Sequence, residues 1–222
     1  MELTEAMSNL RAVRRLRPDP IPDDVMQRIL RAATWAPSGG NAEPWRVVVV
    51  TDPEKKSALA GLYRPAWERY VAATWTPRMA DMPEDAQASL QKMLKAGNYL
   101  AAHMDEAPAL LVFCFDPQRM AFTDRDQDRL SVAGGGSLYP AVQNLMLACV
   151  AEGLGCTLTT LHCQAEPAVK QILGIPEQWG TSALVPIGYP VGRGHGPITR
   201  RPVEQMAYRD EFGTRWTAGS AG

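Results

Sequence analysis

Apolar residues recur at Val25, Met26, Ile29, Leu30 and Ala33 with the spacing of one helix face. Pro22 suits a first turn and Asp23 and Asp24 favour the positive end of the helix dipole, so a helix is expected to begin there and stop before Pro37. After PSGGNAEP the period changes: Trp45 to Thr51 reads WRVVVVT, a continuous β-branched run expected of a strand buried on both faces. Thr51 and Glu54 are spaced as a capping box around Pro53, which predicts a second helix start. Ala109 to Phe115 predicts a further strand. Val142, Leu145, Met146, Cys149 and Val150 then form a helical stripe, but Leu147, Ala148 and Ala151 make the opposite side apolar too. A helix apolar all round is buried, either in a large core or between subunits, and Gly153 is placed to end it. Short strands are expected at Cys156 to Leu161 and Ala183 to Gly188, separated by a helix that Pro167 begins and Gly174 ends.

Between about Tyr63 and His103 the pattern is helical and the content unusual: Trp67, Tyr70, Trp75, Met79, Met82 and Met93. These side chains suit either a lid over a ligand or a peripheral helical pair packed on the core. Asp124 to Asp128 reads as a polar connection ahead of Gly134, Gly135 and Gly136. No repeat and no linker interrupts the chain, so one α+β unit over 1–215 is expected, with 63–103 as a helical excursion and 216–222 as a disordered tail.

The 222 residues suffice for a full core, and 23 basic against 24 acidic side chains give no general attraction to nucleic acid or to an anionic membrane. The longest strongly apolar stretch, Ala107 to Phe115, contains Pro108 and is far short of the roughly 20 residues that span a bilayer. MELTEAMSNL lacks the basic flank and apolar core of a secretory signal. Cys114, Cys149, Cys156 and Cys163 form no CxxC pair and three sit in apolar contexts, which implies reduced thiols and a cytoplasmic location. Their spacing and the nearby histidines match no zinc pattern, so no metal site is expected.

Arg11, Arg14 and Arg15 have a spacing that on a helix would bring them to one side, with Arg17 close behind; Arg200 and Arg201 form a second pair. Clustered guanidiniums suit a phosphate dianion, and equally a solvated basic face. Ser38, Gly39 and Gly40 allow close backbone approach to a flat ligand, and Ser38 and Asn41 add a hydroxyl and an amide; otherwise the segment is a turn. Other chemistries fit poorly. No GxSxG elbow surrounds Ser137, and His103, His162 and His195 stand beside no nucleophile in a known pattern. Gly192, Gly194 and Gly196 alternate ahead of Pro197 without a strand-turn-helix, and no Walker loop occurs.

Taken in order, LRAVRRL, Pro37 to Trp45 (PSGGNAEPW), QNLMLACVAEGLG with CTLTTL, and Arg200-Arg201-Pro202 resemble the FMN-dependent nitroreductase family, over about Leu10 to Tyr208. The resemblance implies a nitroreductase-like fold: a central mixed, mainly antiparallel sheet flanked by helices, in an intertwined homodimer with two FMN sites at the subunit interface. It implies that Arg11, Ala12 and Arg14 contact FMN phosphate or ring oxygens, joined by Arg15 and by Arg200 on the phosphate. Pro37, Ser38, Gly39 and Asn41 would line the isoalloxazine, and Thr159 and Thr160, expected from the other subunit, would approach its N5 edge. Many members have a basic residue where Leu10 stands and Ser or Asp where Ala12 stands, so Ala12 offers backbone contacts only. The implied activity is transfer of electrons from NAD(P)H to small electron-poor aromatic acceptors such as nitroaromatics or quinones, by ping-pong kinetics. The flavin carries the chemistry, so no catalytic side chain is assigned; Thr160 is a candidate N5 contact. Glu43-Pro44 and Thr159-Thr160 resemble the iodotyrosine deiodinase branch, where a threonine hydroxyl at N5 favours one-electron steps, so a reductive dehalogenase or dehydrogenase is the alternative. A flavin-binding protein without turnover is the remaining reading.

Overall fold

The computed structural model describes residues 1–217. A short helix, α1 (Leu3–Asn9), precedes α2 (Asp23–Thr34), which starts after Pro22 with both aspartates in its first turn and buries Ile29 and Ala33. Strand β1 (Trp45–Val50) leads into α3 (Pro53–Tyr70). The cap of α3 is Asp52, whose carboxylate accepts from the Lys55 amide at 2.9 Å, so the expected Thr51–Glu54 box does not form. With Pro53 at the first helical position, Asp52 is the residue whose side chain reaches the free amides. Helix α3 continues into a π-helical turn, Val71–Trp75, and a single turn α4 (Thr76–Met79); α5 (Glu84–His103) returns across it. Tyr63 therefore lies inside a long helix rather than at the start of a separate excursion.

Strand β2 (Ala109–Phe115), helix α6 (Tyr139–Ala151), strand β3 (Gly155–Cys156), helix α7 (Glu166–Leu173) and strand β4 (Gly180–Gly188) complete the fold. The sheet order is β1-β2-β4-β3, and all three pairings are antiparallel. Side chains alternate across β2. Leu110, Val112 and Cys114 pack with Leu59, Tyr63, Trp67 and Leu100 of α3 and α5, while Ala109, Leu111 and Phe113 pack with Ile29 of α2 and Leu145 and Cys149 of α6. Helices on both faces explain why the strand reads as an unbroken apolar run.

Two expectations change. The stretch Cys156 to Leu161 is not one strand: pairing stops at Cys156, resumes only where Thr159 exchanges two 2.9 Å bonds with Leu184, and gives way to a 3₁₀ turn over Leu161–Ala165. The arginine run is not helical either. Residues 10–15 run without helical structure along the sheet edge, with the Val13 amide donating to Cys156 at 2.8 Å and Arg17 to Tyr189 at 2.7 Å. Gly155 permits this approach, because a Cβ there would lie 2.6 Å from Val13 Cγ1. Burial of Val13 and Leu16 against the sheet decides the geometry, and the guanidiniums consequently fan out. Of the expected tail, residues 218–222 lie outside the described residues.

Candidate functional site

A cavity of about 490 Å³ opens between α3, α5 and the segment 157–161. Tyr63 and Trp67 of α3, Trp75 from the π turn, Leu100 of α5, Arg14 and Thr159 line it. The aromatics thus do both things the sequence left open: Tyr63 and Trp67 belong to the core and also wall the cavity. Trp67 is fixed by donating from Nε1 to Asn98 Oδ1 at 2.7 Å, and its ring lies over Gly97, where a Cβ would come within 2.1 Å. Thr159 Oγ1 accepts from the Leu161 amide at 3.3 Å. Burial raises the Tyr63 pKa, opposed by the nearby Thr159 hydroxyl and Arg14. Thr159 is therefore committed to holding the segment, whereas the Thr160 hydroxyl makes no hydrogen bond among the described residues.

Arg14 is the charged residue of the wall. Burial pushes its pKa down, and no carboxylate lies within ion-pair distance of it among the described residues. A partly desolvated, unpaired cation is unfavourable by itself and is relieved by an anion. The Trp75 indole Nε1 is likewise buried without a partner among the described residues. A cation at one end, an aromatic wall and a free hydroxyl fit a flat, phosphorylated ligand such as FMN, whose phosphate Arg14 would hold.

The other expected residues do not all converge here. Arg11 donates from Nε and Nη2 to the Gly194 carbonyl at 2.9 and 2.6 Å, and Arg15 lies 4.4 Å above the Tyr99 ring. Ala12 is exposed, and among the described residues exposed Arg200 donates only to its neighbour Thr199. Pro37, Ser38, Gly39 and Asn41 form a separate built loop, in which the Ser38 Oγ accepts from the Glu43 amide at 3.0 Å and the Gly39 amide donates to Ser137 Oγ at 2.9 Å. Gly40, Asn41 and Glu43 all have positive φ (59°, 53° and 44°), a conformation that glycine adopts freely and asparagine tolerates. The Ser137 end of this loop adjoins a second cavity of about 350 Å³, lined by Phe122, Gly135, Tyr139 and Cys163, and Thr160 lines both cavities. Thr159 and Thr160 thus share a cavity with Arg14 within one protomer. Pro37, Ser38, Gly39 and Asn41 do not line the cavity that holds Arg14.

The sequence reading missed Tyr63, Ser137 and the Gly194 carbonyl. Ser137 was weighed only as a nucleophile, and the alternating glycines only as a dinucleotide loop; their work is to receive a backbone amide and a guanidinium. No group of three or more His, Cys, Asp or Glu suited to a metal occurs among the described residues, and none of their helices is long and apolar enough to cross a membrane.

Comparison with known proteins gives a consistent picture. The chain is 34% identical over 196 residues to an NADH dehydrogenase of Thermus thermophilus, covering 88% of this chain and 90% of the relative. It is 29% identical over 212 residues to iodotyrosine deiodinase 1 of Rattus norvegicus, covering 92% of this chain and 68% of the relative. A putative nitroreductase from Desulfovibrio desulfuricans, solved in complex with FMN, superposes with a TM-score of 0.67 at 20% identity, over 96% of this chain and 98% of the other. With the Nitroreductase family model matching residues 8–189, around the sheet and the cavity just described, the chain belongs to the nitroreductase family.

Proposed function

We propose that the protein is an FMN-dependent oxidoreductase that draws electrons from NAD(P)H and passes them to small electron-poor organic acceptors such as nitroaromatics or quinones. The observation that carries this reading is Arg14, a partly buried guanidinium without a carboxylate partner among the described residues, in the same cavity as Thr159 and Thr160. FMN, when bound, supplies the two-electron chemistry that none of these side chains can perform. Arg14 holds the phosphate. The Leu161 amide fixes Thr159, which leaves the Thr160 hydroxyl as the one that would donate to the edge of the ring. Trp67 and Leu100 keep water from that edge.

The site is completed by a second copy of the chain. Every residue from 199 to 217 except Ala207 is exposed, including Phe212 at 94% and Met206 at 63%, an unusual density of apolar surface for a segment left in water. On α6, Met146, Leu147 and Ala148 are only partly buried although the helix is apolar all round. A homodimer covers both surfaces and brings the partner's Pro37–Asn41 loop to the flavin, with Arg200 carried to the phosphate by the same C-terminal segment. Free, buried Cys114, Cys149 and Cys156 fit the reducing cytoplasm.

Reductive dehalogenation at the same site is a second reading, favoured by the exposed Thr160 hydroxyl and by the 29% identity to the rat deiodinase. Arg14→Ala is expected to weaken FMN binding at least tenfold, since hydrogen bonds to a charged partner are worth about 1.5–3 kcal/mol. Fluorescence titration with FMN measures it, and an unchanged affinity contradicts the assignment. Addition of NADH or NADPH under argon should bleach the bound flavin; failure with both leaves only a flavin-binding protein.

A further inference from the structure

We propose that His195 is a positioning residue for the phosphate end of the flavin site: its imidazolium, with both ring nitrogens protonated, locks the backbone segment that carries Arg14. This rests on the flavin oxidoreductase reading and names a residue that acts through Arg14. The segment 8–17 is held from two sides. On one side the Val13 amide donates to Cys156 of β3 at 2.8 Å. On the other, the loop after β4 donates from Val191 to the Arg15 carbonyl at 2.9 Å, from Gly196 to Asn9 at 3.0 Å and from Ile198 to Ser8 at 3.1 Å. The Arg11 guanidinium closes on the same loop at the Gly194 carbonyl, while the Arg14 side chain leaves the segment for the large cavity. His195 belongs to this loop and ties it to the turn ahead of β3. Its Nε2 lies 2.9 Å from the Leu154 carbonyl oxygen and 3.9 Å from Cys156 Sγ.

The surroundings of the ring decide its protonation. A carbonyl and a sulfur face Nε2, so a neutral ring carries its one hydrogen there. That leaves a bare lone pair at Nδ1, which is buried without a partner among the described residues. The acceptor on the arginine side is the Arg11 carbonyl, which like the Leu154 carbonyl favours the charged ring. A second hydrogen turns a lone pair set against a carbonyl into a donor for it, and that donor acts on the segment of Arg14. Burial pulls the His195 pKa down, but Cys156 and the two carbonyls outweigh it, and the net direction is upward. The Cys156 thiol is drawn below its ordinary value, by Cys149 of α6 foremost and then, against burial, by His195. Met1, Glu5 and Arg193 line a cavity of about 250 Å³ together with half-buried His195, which gives the ring access to protons from water. Glu152, next after α6, is taken up by Arg28 at 2.8 and 2.9 Å. Because the folded pKa is raised, the hold on the segment is complete at low pH and is lost as pH rises through that value.

The test follows the imidazole by NMR and the FMN dissociation constant by fluorescence quenching, from about pH 6 to about pH 9, a range that starts below the ordinary histidine value. The chain has 3 histidines, and His195→Gln assigns the signal. In the FMN-free wild type His195 should titrate above its ordinary value of 6.5. Coupling is reciprocal: FMN should raise the proton affinity of the ring about threefold, and the proton should tighten FMN by the same factor, the modest end of one hydrogen bond. The ratio of wild-type to His195→Gln affinity should therefore fall about threefold across the range. The FMN phosphate titrates as well, but equally for both proteins, so the ratio isolates His195. A His195 pKa that FMN does not move overturns the proposal in the wild-type protein alone, whether or not the variant folds. A ratio that stays constant with pH overturns it too. Either result with FMN bound leaves the oxidoreductase reading standing, whereas a protein that binds no FMN at any pH defeats that reading and the proposal together.

Discussion

At the scale of single residues, the cavity depends on contacts that leave no slack. Gly97 is required by the Trp67 ring, since any Cβ would overlap it at 2.1 Å. Gly97→Ala should therefore destabilise the fold by about 1–3 kcal/mol, the usual range for overpacking, although alanine is the better helix former. Urea unfolding measures this, and a neutral or stabilising result contradicts the packing described. His162 is 1% exposed, and burial holds its pKa down at about 4, against a smaller opposing pull from Glu166. Its folded pKa is depressed, so the stability it contributes is complete above the unfolded value of about 6.5 and is lost as pH falls from there through about 4. Over that window the loss amounts to about 3 kcal/mol. His162→Leu should flatten the stability profile between those two pH values, and an unaltered slope would assign the acid sensitivity to other groups.

At the scale of elements, the cap of α3 separates two accounts that the sequence allows. Asp52→Ala should cost about 1 kcal/mol, the typical worth of an N-cap, while Thr51→Ala should cost little, because Asp52 makes the bond to Lys55. Equal effects would restore the Thr51–Glu54 box. The same contrast shows what is legible in a sequence. α2, β1, β2, α6 and α7 are readable because their burial pattern and their end signals agree: Pro22 with two aspartates, Gly153 at φ 73° and Gly174 at φ 66°. The run from Arg11 to Arg15 is not readable in this way. Val13 and Leu16 are three apart and both buried, as in a helix, but the bonds that hold them extended come from Cys156 and Tyr189, more than 140 residues away. The segment after Cys156 has strand-forming residues, yet only Thr159 finds a partner on β4, and the rest turns to form the cavity floor. Local propensity yields to tertiary contacts at both places, which are the two that build the site.

At the scale of the whole molecule, one protomer holds the family's two sets of motif residues in two cavities that adjoin at Thr160. Arg14, Thr159 and Thr160 share the larger cavity, and Pro37, Ser38 and Gly39 lie with Ser137 near the smaller one. The family motifs name both sets of residues but do not say which copy of the chain supplies each. Sedimentation velocity recorded at the visible band of the flavin tests the account most directly, because it reads cofactor and assembly in the same boundary. The account predicts that the colour sediments with a dimer of the 24.3 kDa chain. Colour that stays with unbound flavin, or that travels with a single protomer, contradicts it.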